Sequence, residues 1–318
     1  MTSHRRYVAV FFLPLALAVI GAYALVASGF YYRHSTYFWD TAEEHQYSVA
    51  GVDADVLLVG DSSLLHGIVP PVVRAATGVS VYNLGVPAPA LVAASAPLVD
   101  NYLRANRRPR LIVLYLSLWT RAHPPYVLQP AWYEAITMLI RHGTAGELGA
   151  FFAAEPNAFN ELIPVVWLHL LSSDAASVDP ALIRGTMDGD AGYVPPLDQM
   201  AIGAHRGGDC GFLADRPVDP DIRFLEAFRQ RYRALGIPVA LYLAPVSDCT
   251  PRIPAAVPPQ VYDNEPYAVP DAWFLDNGRL HMTRAGAEAN SRLFAAFLGR
   301  YLQQQGSRAA AAARLAQE

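Results

Sequence analysis

Gly60-Asp61-Ser62 ends the apolar run Val56-Leu57-Leu58-Val59, and Asp276-Asn277-Gly278-Arg279-Leu280-His281 lies far downstream. A buried strand that breaks at a glycine sets the serine hydroxyl at the carboxyl edge of a parallel sheet, where open α/β folds collect their ligands. Such a hydroxyl becomes a useful nucleophile once an imidazole takes its proton and a carboxylate orients that imidazole. Ser62, His281 and Asp276 are residues of those three types, and the chemistry they point to is acyl transfer through an acyl-serine. Each also has a plain structural use: Asp and Ser cap turns and helix starts, Asp276-Asn277-Gly278 is a turn signal, and His281 can cap the helix after it. Position lifts the triplet above these, because it follows an apolar strand and Asn83-Leu84-Gly85 follows one βα unit later. The nucleophile elbow of α/β-hydrolases is excluded, since Leu64 stands where that motif needs glycine.

The elements that must position these residues alternate strand and helix, as a parallel α/β sheet requires. Strands are expected at Val56–Val59, Val79–Tyr82, Leu111–Leu116, Val239–Leu243 and, short, Ala272–Leu275. Helices are expected at Pro70–Ala76, Ala88–Asn106, Ile222–Leu235 and Arg284–Gln304, the last with Leu293, Phe294, Phe297 and Tyr301 at helical spacing.

Gly60-Asp61-Ser62, Gly85 and the C-terminal Asp/His pair resemble, in their order, the SGNH (GDSL-type) hydrolase superfamily. The resemblance implies a flavodoxin-like parallel sheet, with Ser62 as nucleophile, His281 as base and Asp276 as the carboxylate, or Asp271 in its place. It also implies that the Ser62 and Gly85 N–H groups form the oxyanion hole. The family's third oxyanion donor is an asparagine after the third strand, where this chain reads Leu116-Ser117-Leu118-Trp119. Asn83 or Trp119 is the substitute expected. Four residues separate Asp276 from His281 where the family has two, and Gly278 occupies the usual aspartate position. Met282-Thr283-Arg284-Ala285-Gly286-Ala287 keeps the family's small-residue helix start after the histidine.

Tyr7 to Gly29 is an apolar, charge-free run of 23 residues, long enough as a helix at about 1.5 Å per residue to span a hydrocarbon core of roughly 30 Å. His4, Arg5 and Arg6 precede it and Asp40, Glu43 and Glu44 follow it, so the positive-inside bias expects the N-terminus in the cytoplasm and the remainder outside. A cleaved signal peptide competes, because Ala22-Tyr23-Ala24 fits a cleavage site. The run exceeds the usual ~7–15-residue signal core, so an uncleaved transmembrane anchor is the reading adopted. Tyr31, Tyr32, Tyr37, Phe38 and Trp39 would then form an interfacial aromatic belt. Cys210 and Cys249, the only cysteines, could pair in an oxidising compartment.

The net charge of −4, with no basic cluster, leaves nucleic-acid binding without an electrostatic footprint. All 24 basic residues are arginine, which excludes a Walker A site, a Ser-Lys dyad and a pyridoxal Schiff base. The nine histidines lack metal-ligand spacing, so neither metal nor cofactor is expected. The organisation expected is an anchor over 1–30, a juxtamembrane linker over 31–54, the α/β domain over 55–305 and a tail over 306–318. A helical insertion over 120–220 interrupts that domain. In the insertion, Gln129–Arg141 and Asn157–Leu171 read as helices, the second apolar on nearly every face. Thr186 to Pro220 reads as a long loop that could border the site.

The function expected is an esterase or O-acyltransferase on the periplasmic side of the inner membrane, acting on an acyl ester or an envelope polysaccharide. In arrangement the chain resembles alginate acetylation factors and D-alanyl-transfer proteins, which implies a membrane-bound O-acyltransferase as partner. The alternative is a non-catalytic envelope assembly factor that binds a membrane partner.

Overall fold

A computed structural model of the chain describes residues 3–118, 132–171, 178–196, 222–249, 261–275 and 279–315, with backbone alone at 3–9, 11, 159 and 308–315. The fold is α/β, with a parallel sheet and many helices.

The chain opens with helices α1 (Ser3–Ala27), α2 (Phe30–His34) and α3 (Phe38–Tyr47). Residues 31–54, expected as a juxtamembrane linker, hold α2 and α3. Tyr31, Tyr32 and Phe38 are almost wholly buried, which corrects the expected aromatic belt for these three: their rings fill a core. Strand β1 (Val56–Gly60) leads into the one-turn helix α4 (Ser62–Leu65), then α5 (Pro70–Thr77), β2 (Val81–Gly85), α6 (Ala88–Ala105) and β3 (Leu111–Leu116). Proline in the first turn starts α5, and Gly78 at φ 72° ends it in the left-handed conformation that glycine adopts without strain. Helix α6 kinks at Ala94, where the backbone leaves helical geometry three residues before Pro97.

The insertion supplies α7 (Trp132–His142), α8 (Ala145–Ala154), α9 (Phe159–Leu171) and α10 (Pro180–Gly189). Sequence periodicity missed α8 and α10. The start of α8 is nonetheless written plainly, because Thr144 and Glu147 form a reciprocal capping box. Then come α11 (Ile222–Ala234), β4 (Val239–Leu243), the two-residue strands β5 (Val246–Ser247) and β6 (Ala268–Val269), and α12 (Arg284–Leu315). Helix α12 runs past the expected Gln304 into the alanine-rich tail.

The chain forms two compact units. One gathers residues 1–51, 86–106 and 127–185, so the insertion's helices α7 to α9 fold together with the N-terminal helices and α6, while residues from Thr186 on belong to the other unit. In it α9 packs on α1 and α7, with the Trp167 ring 3.6 Å from where a Cβ on Gly21 would stand. Among the described residues no helix is long and apolar enough to cross a membrane.

The other unit, residues 52–85, 107–126 and 186–318, holds the sheet. Its order is β2-β1-β3-β4, all parallel. Every strand residue is buried, which is why these strands read as unbroken apolar runs and not as alternating ones. Leu58, Val113 and Tyr242 pack with Phe294, Phe297 and Leu298 of α12 in one core. The expected fifth strand is absent: Asp271–Trp273 is a 3₁₀ turn, and Phe274 makes only an isolated antiparallel bridge with Met282.

Candidate active site

β1 lies between β2 and β3, so the chain reverses its direction of travel across the sheet at β1, and ligands of open α/β folds gather outside the strand ends at such a point. Ser62 is the first residue of α4, directly beyond β1. Two glycines allow that tight passage. A Cβ on Gly60 would stand 2.3 Å from the Tyr115 carbonyl, and one on Gly85 would stand 2.4 Å from the Leu65 nitrogen. The two are register partners on adjacent strands, so α4 crosses a floor that only hydrogen atoms fit.

Asp61 caps α4 and is 1% exposed. Its Oδ1 accepts the Ser63 N–H at 2.9 Å, and its Oδ2 accepts the Ser117 N–H at 3.1 Å and the Ser117 hydroxyl at 2.6 Å. Burial raises its pKa, opposed by these hydrogen bonds from Ser117 and Ser63. The carboxylate thus ties the Ser62 turn to the end of β3.

His281 Nε2 lies 3.1 Å from Ser62 Oγ, across 219 positions of sequence. His281 sits immediately before Met282 of the Phe274–Met282 bridge, where its carbonyl accepts the Leu275 N–H at 2.8 Å. Thr283 then caps α12 by accepting the Gly286 N–H at 3.0 Å. The small-residue start has a packing reason, since a Cβ on Gly286 would stand 2.5 Å from the Trp273 carbonyl. The structure therefore brings Ser62 and His281 together. Asp276 lies outside the described residues. Asp271, the expected substitute, binds Arg279 Nε at 2.7 Å and accepts the Ser247 hydroxyl.

Two expected oxyanion donors meet a different use. The Gly85 N–H is donated to Asn83 Oδ1 at 2.9 Å. The Asn83 Nδ2 donates to the Leu64 and Ile68 carbonyls, each at 2.9 Å. Asn83 therefore closes the end of α4 and holds the Gly85 amide, so neither group faces an oxyanion in this state. The reason is local: α4 is a single turn, its last carbonyls need donors, and Asn83 is the buried polar residue beneath them. The Ser62 N–H occupies the first helical position, where no intrahelical acceptor exists. Trp119 lies outside the described residues.

Sequence reasoning also passed over His66. Its ring is fully buried, stands edge-on to His281 with centroids 4.9 Å apart, and its Nδ1 is 2.9 Å from the Val194 carbonyl. The available signal was its place one helical turn after Ser62. The described start of the expected long loop lies against this same region. The Ala191 carbonyl accepts the Asn83 N–H at 3.0 Å, Arg284 binds Asp190 at 2.6 Å, and a Cβ on Gly192 would stand 2.0 Å from the Asn83 carbonyl. Among the described residues no group of His, Cys, Asp and Glu could hold a metal ion.

No family model, curated protein or solved structure matches the chain.

Proposed function

We propose that the chain is an SGNH-type serine enzyme that moves an acyl group from an ester on an envelope or exopolysaccharide substrate, on the outer side of the membrane that anchors it. The single observation that supports this most is the 3.1 Å approach of His281 Nε2 to Ser62 Oγ, within the ~2.6–3.2 Å a serine-histidine relay needs. The strand order β2-β1-β3-β4 fits the central part of a flavodoxin-like sheet.

In the proposed reaction the Ser62 hydroxyl attacks the acyl carbonyl while His281 Nε2 takes its proton. The tetrahedral oxyanion is received by the Ser62 N–H. Collapse breaks the ester C–O bond, and His281 returns the proton to the departing alkoxide. A second nucleophile then gives its proton to His281 and attacks the acyl-serine, and the acyl–Oγ bond breaks as His281 returns that proton to Ser62. Water in that place gives hydrolysis, and an acceptor hydroxyl gives transfer.

The anchor reading draws on the charge-free run and on α1, whose Val10, Phe12, Leu13, Leu17 and Ile20 are more than half exposed. Exposed apolar surface on that scale requires a cover, and a bilayer is the cover proposed. Cys249 is disulfide-bonded, which fits an oxidising compartment; Cys210, the other cysteine, lies outside the described residues. A reporter active only outside the cytoplasm, fused after Glu318, should be active, and purified mature protein should retain residues before Ala24. A mature chain beginning after Ala24 overturns the anchor.

The assembly-factor reading stays in play on one specific observation, the commitment of the Gly85 amide to Asn83. A fluorophosphonate probe separates the two. Labelling of wild type and not of Ser62→Ala supports the enzyme; no labelling, with Ser62→Ala fully complementing a deletion strain, supports the scaffold.

A further inference from the structure

The outer edge of β4 faces a groove of about 460 Å³, closed on its other side by the middle of α12. That size falls within the ~300–1,000 Å³ of small-molecule sites. The floor is apolar: Tyr242 and Phe297, 1% and 7% exposed, meet edge to face with centroids 4.8 Å apart beneath it, and half-buried Tyr301 and Tyr267 with exposed Leu293 and Ala296 present its open surface. Planar polar side chains form the rim, with Asp263, Asn264 and Glu265 on one side and Arg300 and Gln304 on the other.

Four occupants are excluded by chemistry. An added peptide strand has nothing to pair with, because the edge of β4 is already closed. Asp263 Oδ2 accepts the Leu241 N–H at 2.7 Å and Asn264 Oδ1 accepts the Leu243 N–H at 2.8 Å. The return bonds run from the Asp263 N–H and the Asn264 amide to the same two residues' carbonyls. A phosphate or other anion would meet one lining guanidinium, Arg300, with Glu265 facing it and Asp263 already paired with Arg229, so no net positive charge draws it. A metal ion lacks ligands, since Asp263 already serves Leu241 and pairs with Arg229 at 3.5 Å. An acyl chain would strip water from a rim made mostly of polar side chains, a costly exchange without new hydrogen bonds.

An apolar floor for ring faces, within a rim of donors and acceptors for hydroxyls, fits one remaining class. We propose that this groove is a binding subsite for neutral, hydroxyl-rich sugar units. The groove is also wired to the serine segment. The Tyr267 hydroxyl lies 2.8 Å from that of Tyr242 and donates to Asn290 Oδ1 at 2.9 Å, and Asn290 Nδ2 donates to the Gly67 carbonyl at 2.9 Å. Gly67 follows the turn that Ser62 begins. The subsite deepens the acyl-transfer proposal by giving its polysaccharide substrate a binding place and a neutral character, and rests on that reading only for why the protein holds a sugar.

The test is calorimetric titration of the full-length protein in detergent with cellotetraose, maltotetraose and chitotetraose, and with tetragalacturonate and octanoate as comparators. Saturable binding of at least one neutral tetrasaccharide to wild type and to Ser62→Ala is expected. Ala296→Trp, which fills the groove from an exposed position on α12, should weaken it at least tenfold. Arg300→Ala and Gln304→Ala, both at exposed positions, should each weaken it severalfold with an unchanged melting temperature. No saturable binding of any neutral tetrasaccharide, tighter binding of tetragalacturonate or octanoate, or binding indifferent to all three variants overturns the proposal. Fluorophosphonate labelling of wild type is read separately. Sugar binding without labelling leaves the subsite standing and removes the acyl-transfer reading, and labelling without sugar binding does the reverse.

Discussion

In the proposed mechanism the Ser62 hydroxyl and the His281 imidazole nitrogen, 3.1 Å apart, act as a unit, so removing either should remove nearly all chemistry. Ser62→Ala and His281→Ala are each expected to lower turnover of a soluble short-chain ester by about 10⁴-fold or more, and Asp276→Ala by less. Turnover retained in His281→Ala would sink the relay. Asn83 gives a sharper residue-level expectation. Its side chain satisfies the Leu64 carbonyl of the Ser62 turn, the Ile68 carbonyl just beyond it and the Gly85 amide at once. Asn83→Ala should therefore cost about 1–3 kcal/mol for each buried group left unpaired, read as a lowered denaturation midpoint. Gly85→Ala should be worse, because its Cβ would strike main-chain atoms of Leu65 that cannot rotate away. The sequence made Ser62 and His281 legible because their types and order are unusual together. It concealed the role of Asn83, since a polar residue inside a strand reads the same whether it points at a substrate or props a one-turn helix.

At the scale of elements, the legible parts were those whose apolar period is long and uninterrupted. Leu111–Leu116 and Val239–Leu243 appear with the bounds that their composition implies. Ala272–Leu275 failed as a strand for a physical reason: Pro270 precedes it, the Trp273 N–H turns back to the Pro270 carbonyl, and only Phe274 is left to bridge Met282. Closure of the sheet edge was invisible in sequence, because Asp263-Asn264 looks like any turn. Those two residues stand in for a fifth strand along the outer edge of β4, and an uncovered edge invites pairing with another chain. The double variant Asp263→Ala with Asn264→Ala should expose the Leu241 and Leu243 N–H groups. Concentration-dependent aggregation at a lowered temperature, followed by light scattering, is the expected result. A variant as soluble as wild type at every temperature would mean that the edge is covered by something else.

For the molecule as a whole, the N-terminal helices and the insertion's helices α7 to α9, which sequence treated as separate segments, fold into one unit, and that unit has an acidic interior. Asp40 is fully buried, and its Oδ2 receives the Tyr31 and Ser35 hydroxyls, each at 2.6 Å, and lies 2.9 Å from His169 Nδ1. Glu43 is 1% exposed, with neither carboxyl oxygen hydrogen-bonded among the described residues. Burial and the nearby Glu134, Asp40 and Glu44 raise its pKa well above the usual carboxyl range. Burial likewise raises Glu134 to about 8, opposed by the Tyr133 hydroxyl and reinforced by Asp40 and Glu161. Both acids therefore hold protons in the folded chain at pH values where the unfolded chain has released them. Stability must then fall as pH rises from the ordinary glutamate value near 4.5 to about 8. Glu134 contributes a slope of up to about 1.4 kcal/mol per pH unit in that window, and Glu43 acts in the same direction. This is the reverse of the usual carboxylate behaviour, in which acid destabilises. Glu134→Gln keeps the shape and the hydrogen-bonding capacity without a titrating proton, so it should flatten the slope and raise the melting temperature at pH 8 while changing little at pH 5. Thermal unfolding at constant ionic strength across pH 5–8 checks this, and a wild-type melting temperature that climbs through that range would show that the two acids are ionised in the folded protein.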